Sequence, residues 1–466
     1  MPVYDRHQRK QLDQLVEDFG QQKLGRREFM QRAFAVGLSV SAATTLLAAC
    51  GGGTSVNTGT TNIKKTTSVD LLNVWSGEEL TSFQAVVAPF TQQTGITVKI
   101  ETTRDLTQTL TTRLLGNNPP DMAILPNPGY MQQLAGDKRL VPLDSFLDMN
   151  QIHTDYSDGW VNLGSFDSHL YAIFYKAANK GTIWYSPKQF TSLGYQAPTT
   201  WDQLVTLSNT IASSGKYPWS MGVSSAGGSS GWPAADWIAQ IYLNQSGGDM
   251  YDKWVNHQIP WTDASIKQAF QTFGQIVTGK HYISGAPQSV LATDYQSASY
   301  LPFDNPAGAY MYYLGDFTEG FITGQFKSAV AGTDFNFFPF PTINTQYANA
   351  VTGGADVVVA LNNTTAVQSL VKYMATAAAQ EIWVKRGGFT SPNKSVNLSA
   401  YPDPVSKASA QMLASAALYR FGADDLMPSA VETAFWKATL SYIQNPGQLD
   451  SILTDMESTA AQNYNS

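Results

Sequence analysis

The sequence contains a single cysteine, Cys50, among its 466 residues, so an intrachain disulfide is excluded. Charged residues make up only 14% of the chain, where about 25% is typical. The net charge is -7 at pH 7, and lysine and arginine form no basic cluster. These features argue against a nucleic-acid-binding protein, because that class needs a basic surface to face the phosphates. Metal-site spacing is also absent, since there is no cysteine pair and no H-E-x-x-H motif.

The N-terminal region lacks an uncharged run of the roughly 20 apolar residues that a membrane span needs. Its apolar stretch extends only from Ala33 to Ala49, and it follows a charged leader that contains Arg26 and Arg27. A charged leader, an apolar stretch and a cleavage site in this order predict a signal peptide over residues 1–49. The alternative is an uncleaved anchor helix, which would also place the remainder of the chain outside the cytoplasm.

Two short motifs in this region indicate how the chain is exported and held. The segment 47–50 (LAAC) resembles a bacterial lipobox, which implies that Cys50 is lipidated after cleavage. The segment 25–30 (GRREFM) resembles a twin-arginine signal for export in the folded state, although Gly25 and Gln31 replace the usual Ser/Thr and Lys. Residues 50–68 are rich in Gly, Thr, Asn and Ser and predict a flexible linker. We therefore expect a protein tethered to the outer face of the cytoplasmic membrane.

Aromatic residues are abundant where charged residues are scarce. They form 12% of the chain and include 11 tryptophans. Aromatic faces beside neutral hydrogen-bonding groups suit an uncharged, polyhydroxylated ligand, because the ring packs on C–H groups while polar side chains bind hydroxyls. The alternative for any one tryptophan is a place in the hydrophobic core.

Hydrophobic periodicity predicts an α/β fold after the linker. Residues 69–75, 96–101 and 122–125 are expected to be strands, and residues 80–93 and 105–115 helices. This β-α-β-α-β order implies a parallel sheet whose loops at the carboxyl ends of the strands form a ligand crevice. A second block, rich in Trp and Tyr, predicts helices over residues 201–213, 234–245 and 265–277. The length of the chain fits two lobes better than one core.

A set of short segments, in order along the chain, resembles the family 1 extracellular solute-binding proteins of ABC importers, in the branch that handles sugars and α-glucosides. The segments are 73–80 (NVWSGEEL), 116–123 (GNNPPDMA), 140–144 (LVPLD), 170–173 (LYAI), 184–188 (WYSPK), 198–204 (PTTWDQL), 231–233 (GWP), 353–354 (GG), 386–393 (RGGFTSPN) and 425–428 (DLMP).

The resemblance implies a type II periplasmic-binding-protein-like fold, with two α/β lobes joined by a hinge and a ligand cleft between them. Lobe 1 would hold residues 69–175 and 341–387, and lobe 2 would hold residues 176–340 and 388–466, with hinges near Tyr175, Phe340 and Gly387. It also implies a monomer without cofactor that captures a carbohydrate and delivers it to the permease subunits of an ABC importer. Closure would follow ligand binding because the ligand touches both lobes at once.

Crevice position and resemblance together indicate the candidate ligand-binding residues, which are Glu78, Asp121, Asn127, Trp232, Asp316, Phe317, Gly354 and Trp436. Several have a structural alternative. Glu78 could stabilise a helix N-terminus, Asn127 could form a turn, and Asp121 and Gly354 could act as a helix stop and a backbone turn.

The alternative to a binding protein is an enzyme. The segment 227–231 (GGSSG) fits the G-x-S-x-G pattern of serine hydrolases, but only His257 and His281 follow it along the chain. A glycoside hydrolase needs only two carboxylates in a sugar cleft, for which Glu78 and Asp316 are the candidates. A narrower alternative keeps the receptor and replaces the sugar by a polyol, a glycerophosphodiester or a peptide.

Overall fold

A computed structural model describes residues 67–225 and 227–464. The predicted signal peptide, Cys50 and the linker up to residue 66 lie outside the described residues. The strands are β1 (Ser68–Asn73), β2 (Thr97–Thr102), β3 (Met122–Leu125), β4 (Ser165–Phe166), β5 (His169–Leu170), β6 (Ala172–Asn179), β7 (Thr182–Tyr185), β8 (Trp219–Ser220), β9 (Met311–Tyr313), β10 (Asn336–Pro339), β11 (Ala350–Ala360) and β12 (Leu418–Phe421).

Helices connect and cover these strands. They are α1 (Gly77–Thr94), α2 (Leu106–Leu115), α3 (Pro128–Gly136), α4 (Met149–Asp155), α5 (Asp158–Leu163), α6 (Pro187–Leu193), α7 (Trp201–Ser213), α8 (Trp232–Val255), α9 (Ala264–Val277), α10 (Gln288–Ala292), α11 (Tyr295–Ala298), α12 (Thr318–Gln325), α13 (Thr365–Met374), α14 (Ala377–Val384), α15 (Pro404–Ala414), α16 (Ala423–Leu426), α17 (Ser429–Gln444) and α18 (Leu449–Tyr464). None of the helices in the described part of the chain is both long enough and apolar enough to cross a membrane.

The predicted β-α-β-α-β unit is confirmed. Strands β2 and β3 both pair with β1 in parallel, and helices α1 and α2 form the two connections. Helix α1 ends at Gly95, whose φ of 73° is in the left-handed region that favours glycine. The carboxyl ends of β1 and β3 therefore lie at one edge of the sheet, as the crevice prediction requires.

Two main sheets organise the molecule. The first has six strands in the order β12-β11-β3-β1-β2, with β6 also paired to β11, and the second has the order β10-β7-β9-β8. Strand β11 is antiparallel to both β3 and β6. Separate hydrophobic clusters cover the two faces of the first sheet, and a larger cluster packs the second sheet against helices such as α8, α9 and α17.

The chain passes between the two sheets in the middle of the molecule. It leaves the first sheet at Asn179, enters the second at Thr182, and returns between Pro339 and Ala350. Strand β12 lies within the range predicted for lobe 2, yet it pairs with β11 of the first sheet. It can do so because β11 is long enough to extend beyond its neighbours, pairing with β12 at one end and β3 at the other. The exact limits of the lobes and the hinge positions stay predictions.

Helix α8 is longer than the sequence predicts. The expected helix ends at Gln245, whereas the observed one continues to Val255 through Gly247, which has a non-helical φ of 78°. The ring of Tyr347 occupies the space where a side chain at Gly247 would lie. Tertiary packing thus joins two helical segments across a glycine that by itself favours a stop.

Candidate ligand-binding cleft

The two sheets face each other across a cleft at the carboxyl edge of β1 and β3. From the first sheet, Asn127 follows β3, and its amide Nδ2 donates a 2.5 Å hydrogen bond to Glu432 Oε1 on α17. Glu78, on the first turn of α1, pairs with Lys327 beyond α12 at 2.7 Å. The guanidinium of Arg104 lies 5.5 Å from the ring centroid of Tyr295. Side chains from both halves therefore meet across the cleft.

One group of charges, which we call the Lys176 cluster, consists of Glu79, Arg104, Lys176 and Asp356. The ammonium of Lys176, on the buried strand β6, lies 2.8 Å from Glu79 Oε1, and Arg104 lies 3.6 Å from Glu79 Oε2. Burial opposes the charged form of Lys176, but Glu79 and Asp356 outweigh it and raise the pKa of Lys176. Burial raises the pKa of Asp356 to about 6, and Lys176 partly offsets this shift.

Aromatic rings surround the Lys176 cluster. The Lys176 ammonium lies 5.1 Å from the ring centroid of Phe317 and 5.7 Å from that of Trp383, within the range of cation–π attraction. Trp232, the first residue of α8, packs edge-on against Tyr295 at 5.0 Å and tilted against Phe317 at 6.2 Å. These rings give this end of the cleft an apolar wall of the kind that stacks on a sugar face.

A second group, the Lys180 cluster, consists of Asn127, Lys180, Asp236, Asp424, Asp425 and Glu432. Lys180 lies in the short link between β6 and β7, and its ammonium contacts Asp236 Oδ1 at 2.7 Å and Asp425 Oδ2 at 2.9 Å. The indole Nε1 of Trp436 donates to Asp424 Oδ2 at 2.7 Å. A β-carbon at Gly354 would lie 2.9 Å from Lys180 Cε, so glycine there gives the lysine its space.

Burial dominates the protonation of the Lys180 cluster. It raises the pKa of Asp236 to about 7, with Lys180 acting in the opposite direction. It also raises the pKa values of Asp425 and Glu432 well above their ordinary range. Burial acts against the charged form of Lys180, but Asp236 and Asp425 raise its pKa well above normal. The cluster thus holds one firm positive charge, and its carboxyl groups at Asp236, Asp425 and Glu432 ionise reluctantly.

Three buried oxygen atoms in the Lys180 cluster accept no hydrogen bond within the described chain. They are Asn127 Oδ1, Asp236 Oδ2 and Asp424 Oδ1. Buried polar atoms in proteins are nearly always hydrogen-bonded. The cleft therefore offers unpartnered polar atoms to a ligand that carries several hydroxyl groups, which can both donate and accept hydrogen bonds.

A cavity of about 300 Å³ opens beside the Lys176 cluster, between α1 and α12. Its lining includes Glu79, Trp383, Arg386 and the backbone of Gly320 and Gly388. Ligand pockets typically occupy roughly 300–1,000 Å³, so this volume suits a small ligand or one part of a larger ligand.

The structure brings together five of the eight residues predicted from the sequence. Asn127, Gly354 and Trp436 meet at the Lys180 cluster, while Trp232 and Phe317 lie beside the Lys176 cluster.

The other three predicted residues have different surroundings. Glu78 is exposed, and it lines the cavity beside the Lys176 cluster together with its partner Lys327. Asp316 is buried behind the aromatic wall, where its Oδ2 accepts hydrogen bonds from Thr390 and Ser409. Asp121 lies at the amino end of β3, away from the crevice edge, and accepts hydrogen bonds from the backbone of Asp70 and the amide of Asn362. Their roles in binding stay predictions.

The sequence analysis did not predict several residues of the cleft, namely Glu79, Lys176, Lys180, Asp236, Asp425 and Glu432. One pattern could have indicated them, since Lys176 and Lys180 interrupt and follow an otherwise apolar strand. A lysine in such a place needs a buried partner.

The serine-hydrolase motif forms a different set of contacts. Ser229 donates to the hydroxyl of Ser225 at 3.0 Å, whereas His257 pairs with Glu457 and His281 packs on Tyr217. In residues 67–225 and 227–464, no group of three or more His, Cys, Asp or Glu side chains is arranged to hold a metal ion.

Comparison with known proteins agrees with this architecture. The family model described as bacterial extracellular solute-binding protein matches residues 75–381. The osmoprotective compounds-binding protein GgtB of Synechocystis sp. is 32% identical over 376 residues, which cover 80% of this chain and 88% of that protein. The α-glucosides-binding periplasmic protein AglE of Rhizobium meliloti is 31% identical over 394 residues, covering 82% and 85%.

Solved structures share the fold at lower identity. The bacterial solute receptor AcbH superposes with a TM-score of 0.75 at 20% identity, covering 85% of this chain and 99% of that one. A chitin oligosaccharide binding protein superposes with a TM-score of 0.75 at 18% identity, and the match covers 86% of this chain and 100% of that one. The predicted two-lobed, type II periplasmic-binding-protein-like fold is confirmed, and the chain belongs to the bacterial extracellular solute-binding proteins.

Proposed function

We propose that this solute-binding protein captures a carbohydrate, with α-glucosides as the first class to test, and delivers it to an ABC importer. The observation that carries the proposal is the pairing of buried oxygen acceptors with aromatic rings in one cleft. Hydroxyl donors of a sugar would satisfy Asn127, Asp236 and Asp424, while Trp232 and Phe317 would face its C–H groups. The name of AglE, which refers to α-glucosides, supports the same class.

A thermal-shift and calorimetry panel tests the ligand class. The purified chain without residues 1–49 is titrated with maltose, sucrose, trehalose, raffinose and galactose, and with glycine betaine as a non-sugar osmolyte. A sugar at 100 times its Kd should stabilise the folded state by about 2.7 kcal/mol. If betaine raises the melting temperature and no sugar does, the receptor binds a non-sugar solute and the carbohydrate assignment is wrong.

We further propose that the protein binds its ligand without chemical change. The two carboxylates considered for glycoside hydrolysis have separate partners, since Glu78 pairs with Lys327 and Asp316 accepts from Thr390 and Ser409. Incubation with each oligosaccharide, followed by chromatography, should return the sugar intact. Released monosaccharides would instead support a hydrolase.

The remaining parts of the proposal concern location and assembly. We propose that a lipid on Cys50 holds the protein at the outer face of the cytoplasmic membrane, and that it works as a monomer with the permease subunits of the importer. Family membership supports an extracytoplasmic location. Light scattering of the soluble chain should give the mass of one copy, and a stable dimer would contradict the monomer.

A further inference from the structure

We propose that the exposed ion pair between Glu78 and Lys327 is a closure latch, which strengthens ligand binding by holding the two halves of the molecule together and not by touching the ligand. The inference rests on the proposed function, because it concerns how the cleft closes around a bound solute. It gives Glu78 a role different from the direct ligand contact that the sequence predicts for it.

The two partners of the latch belong to helices that pack on different sheets. Glu78 lies in the first turn of α1, whose inner face belongs to the hydrophobic cluster on one face of the first sheet. Lys327 follows α12, whose Phe321 and Ile322 pack with strands of the second sheet. The 2.7 Å bond from Lys327 Nζ to Glu78 Oε1 therefore requires the two halves to be together.

The ends of the two helices bring the pair together. Gly324 lies in the last turn of α12, and a β-carbon at this position would lie 2.9 Å from Glu78 Cγ, so glycine permits the close approach. The amino end of a helix favours a carboxylate, and the carboxyl end favours an ammonium. Glu78 lies at the first kind of end and Lys327 just beyond the second. Each charge is therefore favourable on its own helix, and the two attract each other across the contact.

The latch lies at the cavity beside the Lys176 cluster. Glu78, Gly324 and Lys327 all line this cavity, which lies between α1 and α12. Separation of the halves would move these two helices apart and open the cavity at this side. The side chains of Glu78 and Lys327 are 45% and 69% exposed, so dissolved salt can screen their attraction.

A contact that exists only in the closed state acts on affinity through the equilibrium between the open and closed states. The observed Kd equals the intrinsic Kd divided by the fraction of molecules in the binding-competent state. Loss of the pair lowers this fraction without removing any contact between protein and ligand. Exposed ion pairs are weak. The affinity should therefore change by a small factor, while the melting temperature of the ligand-free protein should hardly change.

Charge reversal tests the latch by calorimetry on the soluble chain with maltose, sucrose and trehalose. Glu78→Lys and Lys327→Glu each place like charges at the contact. At low salt, each should weaken the binding of a sugar that the parent chain binds by about threefold to tenfold. At about 1 M sodium chloride, where the Debye length is about 3 Å, most of this loss should disappear.

The double variant Glu78→Lys/Lys327→Glu restores a pair of opposite charges across the contact. Its recovery need not be complete, because the exchanged charges are less favourable at these helix ends. It should nevertheless bind the sugar more tightly than either single variant, since attraction between the halves returns. Direct contact of Glu78 with the sugar would give no such recovery.

Asp450→Lys is the matched control. Asp450 on α18 pairs with Lys267 on α9 at 2.5 Å, and both helices pack in the hydrophobic cluster on the second sheet. This pair also joins two helices at the surface, but it lies within one half and is present whether the cleft is open or closed. Its reversal should leave the affinity for the sugar unchanged.

The outcomes of these titrations separate the latch from the proposed function. A double variant that binds no more tightly than the single variants would show that these side chains act on the ligand directly, and the latch would be wrong. Unchanged affinity in both single variants would also overturn it, while the proposed function would stand. If the parent chain binds none of the three sugars, the proposed α-glucoside function fails and the inference fails with it.

Discussion

At the scale of single residues, the cleft is unusual in burying lysines as well as carboxylates. Lys176 is 4% exposed and Lys180 is 7% exposed. Transfer of an unpaired charge from water to a protein interior is very unfavourable, so each lysine depends on the carboxylates placed around it. Adjacent residues in the chain can therefore contribute very differently to the stability of the fold, as Glu78 and Glu79 illustrate.

Glu79→Gln should destabilise the protein strongly, whereas Glu78→Gln should have little effect. The first change leaves the buried Lys176 ammonium without its 2.8 Å partner, and loss of one member of a buried pair typically costs about 3–5 kcal/mol. Glu78 and Lys327 are exposed, and such pairs contribute about 0–1 kcal/mol. Guanidinium unfolding of both variants measures the difference. Equal midpoints would show that Lys176 does not depend on Glu79.

Asp236 should make the stability of the ligand-free protein depend on pH. Its pKa of about 7 in the folded state lies above the ordinary value of 3.8. A carboxyl group with a raised pKa contributes stability that is present at low pH and is lost as the pH rises through the folded pKa, by up to about 1.4 kcal/mol per pH unit. The melting temperature should therefore fall as the pH rises from about 4 to about 7, and the contribution of Asp236 to this fall should end above pH 7.

The charged and titratable groups that interact with Asp236 are Lys180, Asp424, Asp425, Tyr251, Tyr312 and Tyr313. Asp425, and Glu432 of the same cluster, also have raised pKa values and add to the same slope. Asp236→Asn should make the slope between pH 4 and pH 7 shallower without removing it. A slope identical to that of the parent chain would show that Asp236 does not titrate in this range.

At the scale of elements, local patterns determine what the sequence can predict. The β1-α1-β2-α2-β3 unit was predictable because alternating and helical periodicities change at Gly95 and at the Asn-Pro segment before β3. Strand β12 was harder to assign, because its residues are only partly buried and its partner β11 is distant along the chain.

The same distinction applies to the cleft. Asn127 and Trp436 were predictable, the first from its place after a strand and the second from family resemblance. Asp236 and Glu432 were not, because an acidic residue within a helix normally faces solvent. The hydrogen bond between Asn127 and Glu432 spans 305 residues of sequence, and no local pattern indicates it.

Gly231 fixes the start of helix α8 against helix α17, so Gly231→Ala should be strongly destabilising. Its φ is 106°, and an added β-carbon would lie 2.4 Å from the carbonyl oxygen of Trp436. Strain in such a conformation costs about 1–3 kcal/mol before the clash is included. The shift of α8 should also weaken sugar binding, because Trp232 and Trp436 flank the contact.

Gly228→Ala is the control for this prediction. Gly228 belongs to the same loop, has a negative φ and has no atom within 4 Å of the position of an added β-carbon. Its melting temperature and sugar affinity should match those of the parent chain. If both alanine variants lower the melting temperature equally, the effect belongs to the loop and not to the contact between α8 and α17.

At the scale of the whole molecule, two sheets joined by short crossings form one cleft whose walls come from both halves. The bonds from Asn127 to Glu432 and from Glu78 to Lys327 connect these walls. Under the proposed function, a ligand that binds the Lys180 cluster and contacts the aromatic wall would stabilise the arrangement in which the halves meet. A few side-chain contacts could therefore control a hinge movement of the two halves, because they change the free-energy difference between the open and closed states.

A tether at Cys50 would add a further effect at this scale without altering the cleft. Cys50→Ser should leave the sugar affinity of the protein unchanged, since the proposed cleft begins beyond the predicted linker that ends at residue 68. It should release the protein from the membrane fraction and reduce sugar uptake by cells at low sugar concentration, because tethering raises the effective concentration of receptor near the permease. Cell fractionation and uptake of labelled sugar measure both effects. Full membrane retention of the variant would instead support an uncleaved anchor helix at the N-terminus, and normal uptake by released protein would show that diffusion alone supplies the permease.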